Sequence, residues 1–136
     1  MATTTATLTL SSGDLTGDAL SLSTTATLTK AGTSTGLDQT TGVARKFYAA
    51  AQTDTALIAA ADYTDDKAHK VYIKNISSTA AEYITVKIGA TEVGRLYAGD
   101  FLFIPWSADT TSVAADIDID TSAVNMTVEY LVIYEA

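Results

Sequence analysis

Apolar and polar residues alternate with period two along most of this 136-residue chain, the pattern of half-buried β-strands rather than helices. Leu8 and Leu10 alternate with Thr7 and Thr9, and Leu20 and Leu22 with Ser21 and Ser23, so each strand has a narrow apolar face opposite a hydroxyl face. Further on, Val71 and Ile73 alternate with Tyr72 and Lys74. Ile84, Val86 and Ile88 then share a face opposite Tyr83, Thr85 and Lys87. With Asn75 to Ala81 between them, these two runs predict a hairpin. Gly89-Ala90-Thr91 turns the chain into Val93 to Tyr97, and Ala98-Gly99-Asp100 turns it again. FLFIPW, apolar on both faces, predicts a central strand whose ladder ends at Pro105. Ile117 and Ile119 oppose Asp116, Asp118 and Asp120. Met126, Val128, Tyr130, Val132 and Tyr134 line one face of a long last strand that stops in mid-sheet. Val43 to Asp62 has the alanines of a helix but no three-four stripe, and is read as two strands.

Short strands separated by turn signals, without crossover helices, predict an all-β fold, an antiparallel β-sandwich or jelly roll with an extended Thr/Ser-rich N-terminal arm. The boundary is compositional. Residues 1–42 are Thr, Ser, Ala, Gly and Leu with little charge and form the arm, and residues 43–136 form the sandwich domain. Within the arm TTATLT occurs twice, from Thr4 and from Thr24. A solenoid needs at least three similar units, so the echo reads as a matched pair of strands. Ordering a residue costs about 1–2 kcal/mol of backbone entropy. With so few large side chains the arm must lean on a sheet of its own domain, of a neighbouring copy or of another protein. The candidate partner contacts are Leu8, Leu10, Leu20, Leu22 and Leu28. Trp106, which follows Pro105 at a strand end, joins them, although capping the core is its plainer role.

Threonine makes up roughly a sixth of the chain, which suits pleated surfaces. Sixteen acidic against eight basic residues give a net charge of −8, which disfavours nucleic acid as a partner. No run reaches the roughly 18 apolar residues of a membrane helix, and MATTTATLTL lacks the pattern of a secretory signal, so a membrane is not expected as a partner and synthesis in the cytoplasm is. The absence of cysteine removes disulfides and thiolate metal sites.

Candidate chemistry is sparse. Asp116, Asp118 and Asp120 invite a calcium reading, but Thr121 and Thr127 stand where an EF-hand needs glycine and glutamate. Carboxylates at i and i+2 of a strand lie about 6.8 Å apart and repel by only about 0.6 kcal/mol in water, so a solvated face tolerates them. His69 stands in a charged stretch, DDKAHK, that predicts a solvated loop. Asn75-Ile76-Ser77 and Asn125-Met126-Thr127 match the glycosylation tripeptide, the second inside a predicted strand. Tyr72, Tyr83 and Tyr97 on strand faces are candidates for stacking on sugar rings. No phosphate-cradling loop, nucleophile elbow or HExxH is present. The expectation is no catalytic residue, no cofactor and no metal, in a protein that is not an enzyme.

Two resemblances bear on this. GDFLFIP, Gly99 to Pro105, resembles the G-D-x-x-x-x-P half-signature of cupins, which implies a jelly-roll turn and strand. A cupin metal centre would need several histidines, and this chain has only His69. TLSSGDLTGDALSLS, GLDQTTGVARK, YTDDKAHKVYIKNIS and GRLYAGDFLFIPWS, with a closing strand ending in Glu-Ala, are similar to small virion structural proteins of tailed marine bacteriophages. That resemblance implies a component of the virion made in the host cytoplasm. Within that class the expectation is a capsid decoration or cement protein, a trimeric homo-oligomer that contacts the major capsid protein. A tail or fibre module binding host glycans and a strand-donating extracellular fibre subunit are the alternatives.

Overall fold

The computed structural model of the chain describes residues 2–15, 17–109 and 113–136, and its architecture is all-β. The strands run in chain order as β1 (Thr4–Ser12), β2 (Leu20–Leu28), β3 (Gln39–Thr40), β4 (Ala44–Tyr48), β5 (Thr55–Ile58), β6 (His69–Asn75), β7 (Tyr83–Ile88), β8 (Thr91–Tyr97), β9 (Phe101–Trp106), β10 (Ile117–Thr121) and β11 (Met126–Tyr134). The ambiguous segment therefore forms two strands, β4 and β5, followed by a single 3-10 turn at Ala60–Asp62.

β1 and β2 form a two-stranded ribbon of their own, and the other strands form two antiparallel sheets. One sheet has the order β5-β10-β7-β8. The other is β3-β11-β6-β9, with β4 pairing the same edge of β11 as β3 but nearer its start. From β4 onward the chain pairs as one long folded-back ribbon: β4 with β11, β5 with β10, β6 with β9, and β7 with β8. The contacts of β11 with β6 and of β10 with β7 then wrap that ribbon into two layers, which is the topology of a jelly roll.

The period-two phase explains the core. Val71, Ile73, Met126, Val128 and Val132 of one sheet face Ile84, Val86, Leu96, Ile117 and Ile119 of the other, and all are buried. β11 is a central strand, as its two-sided pairing requires.

Two strand assignments need correction. β6 and β7 do not form a hairpin, because they belong to opposite sheets and the loop between them passes over the surface from one to the other. The buried Asn75 stabilises that crossing: its Nδ2 donates to the carbonyls of Glu82 and Leu96, at 3.2 and 3.0 Å. β9 lies at a sheet edge rather than at the centre, pairing only with β6, and Phe101 and Phe103 point to the outer face, 57 % and 40 % exposed, while Leu102, Ile104 and Trp106 turn inward. An edge also accommodates proline, so the ladder runs through Pro105 to Trp106 instead of stopping. Asn125 precedes β11 with a positive φ of 59°, in a turn and not in the strand.

Candidate assembly surface

The repeated hexapeptide has a direct structural meaning. β1 and β2 pair antiparallel in an unbroken register from Thr4 opposite Leu28 to Ser12 opposite Leu20, with Ala6 opposite Ala26 at the centre of the two copies. Paired residues point to the same side. One face of the ribbon therefore carries Ala6, Leu8, Leu10, Leu20, Leu22 and Ala26, and the other carries only threonine and serine. On the hydroxyl face, Thr7 and Thr25 hydrogen-bond at 2.9 Å across the strands.

The root of the ribbon is fastened to the sandwich and its length is not. Leu28 is 5 % exposed and Leu37 is buried, the Leu37 N–H donates to the Leu28 carbonyl at 2.9 Å, and Thr29 bridges Gly36. Lys30 Nζ reaches Asp38 at 2.6 Å. Glu135, just past β11, accepts from the Ala31 N–H at 2.9 Å and from Lys67 at 3.4 Å. The Ala31 N–H is the main reason the Glu135 carboxyl titrates below its usual range, with Ala68 N–H and Lys67 adding to it against a burial effect of opposite sign. No sequence signal marks Glu135 as a tether, because it joins residues far apart in the chain.

Beyond the root, the apolar face of the ribbon looks across an open groove of about 970 Å³ at the outer face of the β6–β9 pair, where Tyr72, Phe101, Phe103 and Pro105 line it. Tyr72 is held in place by its hydroxyl, which donates to Glu129 at 3.1 Å, and Glu129 also takes Arg45 at 2.9 Å. Arg45 and then Tyr72 keep the Glu129 carboxyl below its ordinary range.

Of the six candidate contact residues, Leu8, Leu10, Leu20 and Leu22 stand on this open face, 39–45 % exposed. Leu28 closes the root end of the groove, itself covered, and Trp106 lies apart from it, 5 % exposed in the sandwich with its Nε1 donating to the Ala115 carbonyl at 2.8 Å. Trp106 caps the core. On the aromatic side of the groove the sequence marks only Tyr72, as a sugar-stacking candidate; Phe101 and Phe103 are missed because FLFIPW reads as a buried strand.

Asp116, Asp120 and His69 are taken up by contacts within the sandwich. Asp116 accepts the Ala60 N–H and Asp120 the Asp54 N–H, each at 2.7 Å, and Lys87 bridges Asp54 and Asp120 at 2.6 and 2.7 Å. Burial pushes Asp118 up, helped by Asp116 and Asp54. Burial acts the same way on Asp120, but Lys87 and the Asp54 N–H outweigh it and hold that carboxyl down. His69 is not in a solvated loop. It opens β6, is 1 % exposed, and packs against Tyr63, Trp106 and Tyr134. Neither ring nitrogen has a partner in full hydrogen-bond geometry, although the Lys67 backbone lies close enough to interact. Tyr83 and Tyr97 sit side by side at 5.5 Å with the Arg95 guanidinium 4.7 Å over the Tyr83 ring.

Comparison with family models, with curated proteins and with solved structures finds no match to this chain. The chemistry of the surface therefore carries the functional reading.

Proposed function

We propose that this protein is a structural component of a phage virion, a capsid decoration or cement protein that joins its neighbours through strand addition and inter-subunit contacts. The observation that carries the reading is the ribbon: nine-residue strands without a charged side chain, fastened only at the root, with four exposed leucines, of which Leu8 and Leu10 stand over an aromatic groove. Contiguous exposed apolar surface of this kind marks an interaction site. A net charge of −8, none of it on the two ribbon strands, suits the solvent side of a shell, and the resemblance to virion proteins points to the major capsid protein as the surface it would meet.

The test is the copy number and position of the protein in purified particles, by quantitative mass spectrometry and labelling. Many copies at regular shell positions are expected. Absence from particles would end the proposal. A few copies at the tail would favour a second reading, an adhesion module for host glycans, which the paired Tyr83 and Tyr97 with Arg95 support because exposed rings beside a cation suit a sugar face. Binding on a glycan array that is lost in Tyr97→Ala is the result that reading requires.

A further inference from the structure

At the root of the ribbon Gly36 bridges Thr29 and lies against Ala2 and Thr3. Beyond it, among the described residues, no strand pairs the outer edge of β1 along Thr4–Ser12, and β1 is the strand whose edge borders the groove. Proteins blunt such edges with lysine, proline or a bulge. β1 has none of these: it contains no charge and no proline, and its register with β2 is uninterrupted. The only charged residues of the ribbon, Asp14 and Asp18, are in its turn. β1 also lines the aromatic groove with five consecutive residues, from Ala6 to Leu10, so its backbone edge as well as its apolar face borders that space. A strand added to this edge enters the groove and sets its own side chains opposite Phe101 and Phe103.

We infer that the strand is β1 of a second copy, paired antiparallel across a two-fold axis at Leu8. A two-fold axis perpendicular to a sheet keeps each residue and its symmetry mate on the same face, and paired residues also share a face, so residues of like parity must pair. That condition preserves the leucine face and the hydroxyl face in the product. Centred on Leu8, the pairing sets Leu8 opposite Leu8, Ala6 opposite Leu10 and Thr7 opposite Thr9, and overlaps the whole of Thr4–Ser12. The result is a four-stranded sheet in the order β2-β1-β1-β2, leucine and alanine on one side and hydroxyls on the other. A foreign strand would need the same alternation and neutrality; β1 already has both. The inference rests on reading the ribbon as an assembly element, and its symmetry is two-fold, not the three-fold of the trimer that the virion resemblance suggested.

The 136-residue chain contains no cysteine, so a single introduced thiol reports the register. Residues directly opposite in an antiparallel pair have Cα atoms about 4.5–5.5 Å apart, within the span of a disulfide. Leu8→Cys is expected to oxidise to a covalent dimer, and Ser11→Cys, whose mates lie far apart in this register, is not. In sedimentation, T7K/T9K and T7E/T9E are each expected to dimerise at least about tenfold more weakly than the parent, since like charges face each other twice, and an equimolar mixture of the two should restore the dimer. These substitutions lie on the exposed hydroxyl face and leave the core untouched. A parent chain that stays monomeric up to millimolar concentration, with Leu8→Cys linking no faster than Ser11→Cys, overturns the self-pairing. If that monomer still loses particle binding in T7K/T9K, self-pairing falls and the assembly reading stands. A dimer that is absent from particles supports self-pairing and removes the virion reading.

Discussion

Replacing His69 by phenylalanine should make the protein more stable and remove part of its acid sensitivity. The imidazole is buried in a box of Tyr63, Trp106 and Tyr134, with neither nitrogen in full hydrogen-bond geometry with a partner and only the Lys67 backbone near enough to interact weakly. A buried polar group without a hydrogen bond costs about 1–3 kcal/mol, and phenylalanine is a planar ring that keeps the edge-to-face contacts, so a gain of about 1 kcal/mol at pH 7.5 is expected, or about 3–5 °C in Tm for a domain of this size. The pH dependence follows from burial, which lowers the His69 pKa. The Lys67 backbone and Glu135 pull it upward, and Lys70 adds to the lowering. Because the folded state holds the ring neutral, the unfolded chain binds the extra proton first. Stability from this group is therefore complete above the unfolded pKa near 6.5 and falls as pH drops below it, approaching about 1.4 kcal/mol for each further unit until the folded pKa is reached. The depressed carboxylates Asp120, Glu129 and Glu135 lose their contributions only at lower pH, below about 4. The raised Asp118 acts in the opposite sense, and it cancels when the two chains are subtracted. Urea unfolding followed by Trp106 fluorescence, in half-unit steps from pH 7.5 to 4.5, measures the difference. Stability curves for parent and His69→Phe that run parallel between pH 6.5 and 4.5 would refute the reasoning.

Trp106→Phe leaves the Ala115 carbonyl without its donor inside the core and should cost about 1–3 kcal/mol in urea unfolding followed by circular dichroism; an unchanged midpoint would show that water replaces the indole N–H. Gly89 has a φ of 54°, and a Cβ there would run into the Ala114 carbonyl, so Gly89→Ala should lose more than the roughly 1–2 kcal/mol of a left-handed residue alone. Ile73→Ala, at a position with no exposed surface, should cost about 2–5 kcal/mol, with a value under 1 indicating that the two sheets close over the gap. Adding calcium after EDTA treatment should leave Tm unchanged, because Asp116 and Asp120 are already engaged by Ala60 and by Asp54 and Lys87; a rise of several degrees would show that the cation displaces them.

The parts of the fold legible in the sequence are those that depend on local alternation. Val71 and Ile73, Ile117 and Ile119, and Met126, Val128 and Val132 all face inward as their phase requires, and the twin hexapeptides pair with each other. The errors share one cause. Asn75 to Ala81 reads as a hairpin loop, FLFIPW as a central strand and His69 as a loop residue, because each reading assumes a neighbour that a single strand does not specify. An exposed Phe101 and a buried Phe101 have the same local signature. The candidate surface is half visible for the same reason: the ribbon's leucines and Tyr72 show in the sequence, and Phe101 and Phe103 beside Tyr72 do not.

Alternation is a property of the backbone itself, since successive side chains leave a strand on opposite sides whatever it pairs with. The amino-acid order therefore determined that this chain makes strands, where they turn, and which residues each turns inward. Which sheet a strand joins, and which edge is left open, depends on closing long loops and on how a whole layer packs against another, and those free energies belong to no single segment. Only the rolled tertiary structure set β9 at an edge, shut His69 inside and left β1 bordering an unfilled groove.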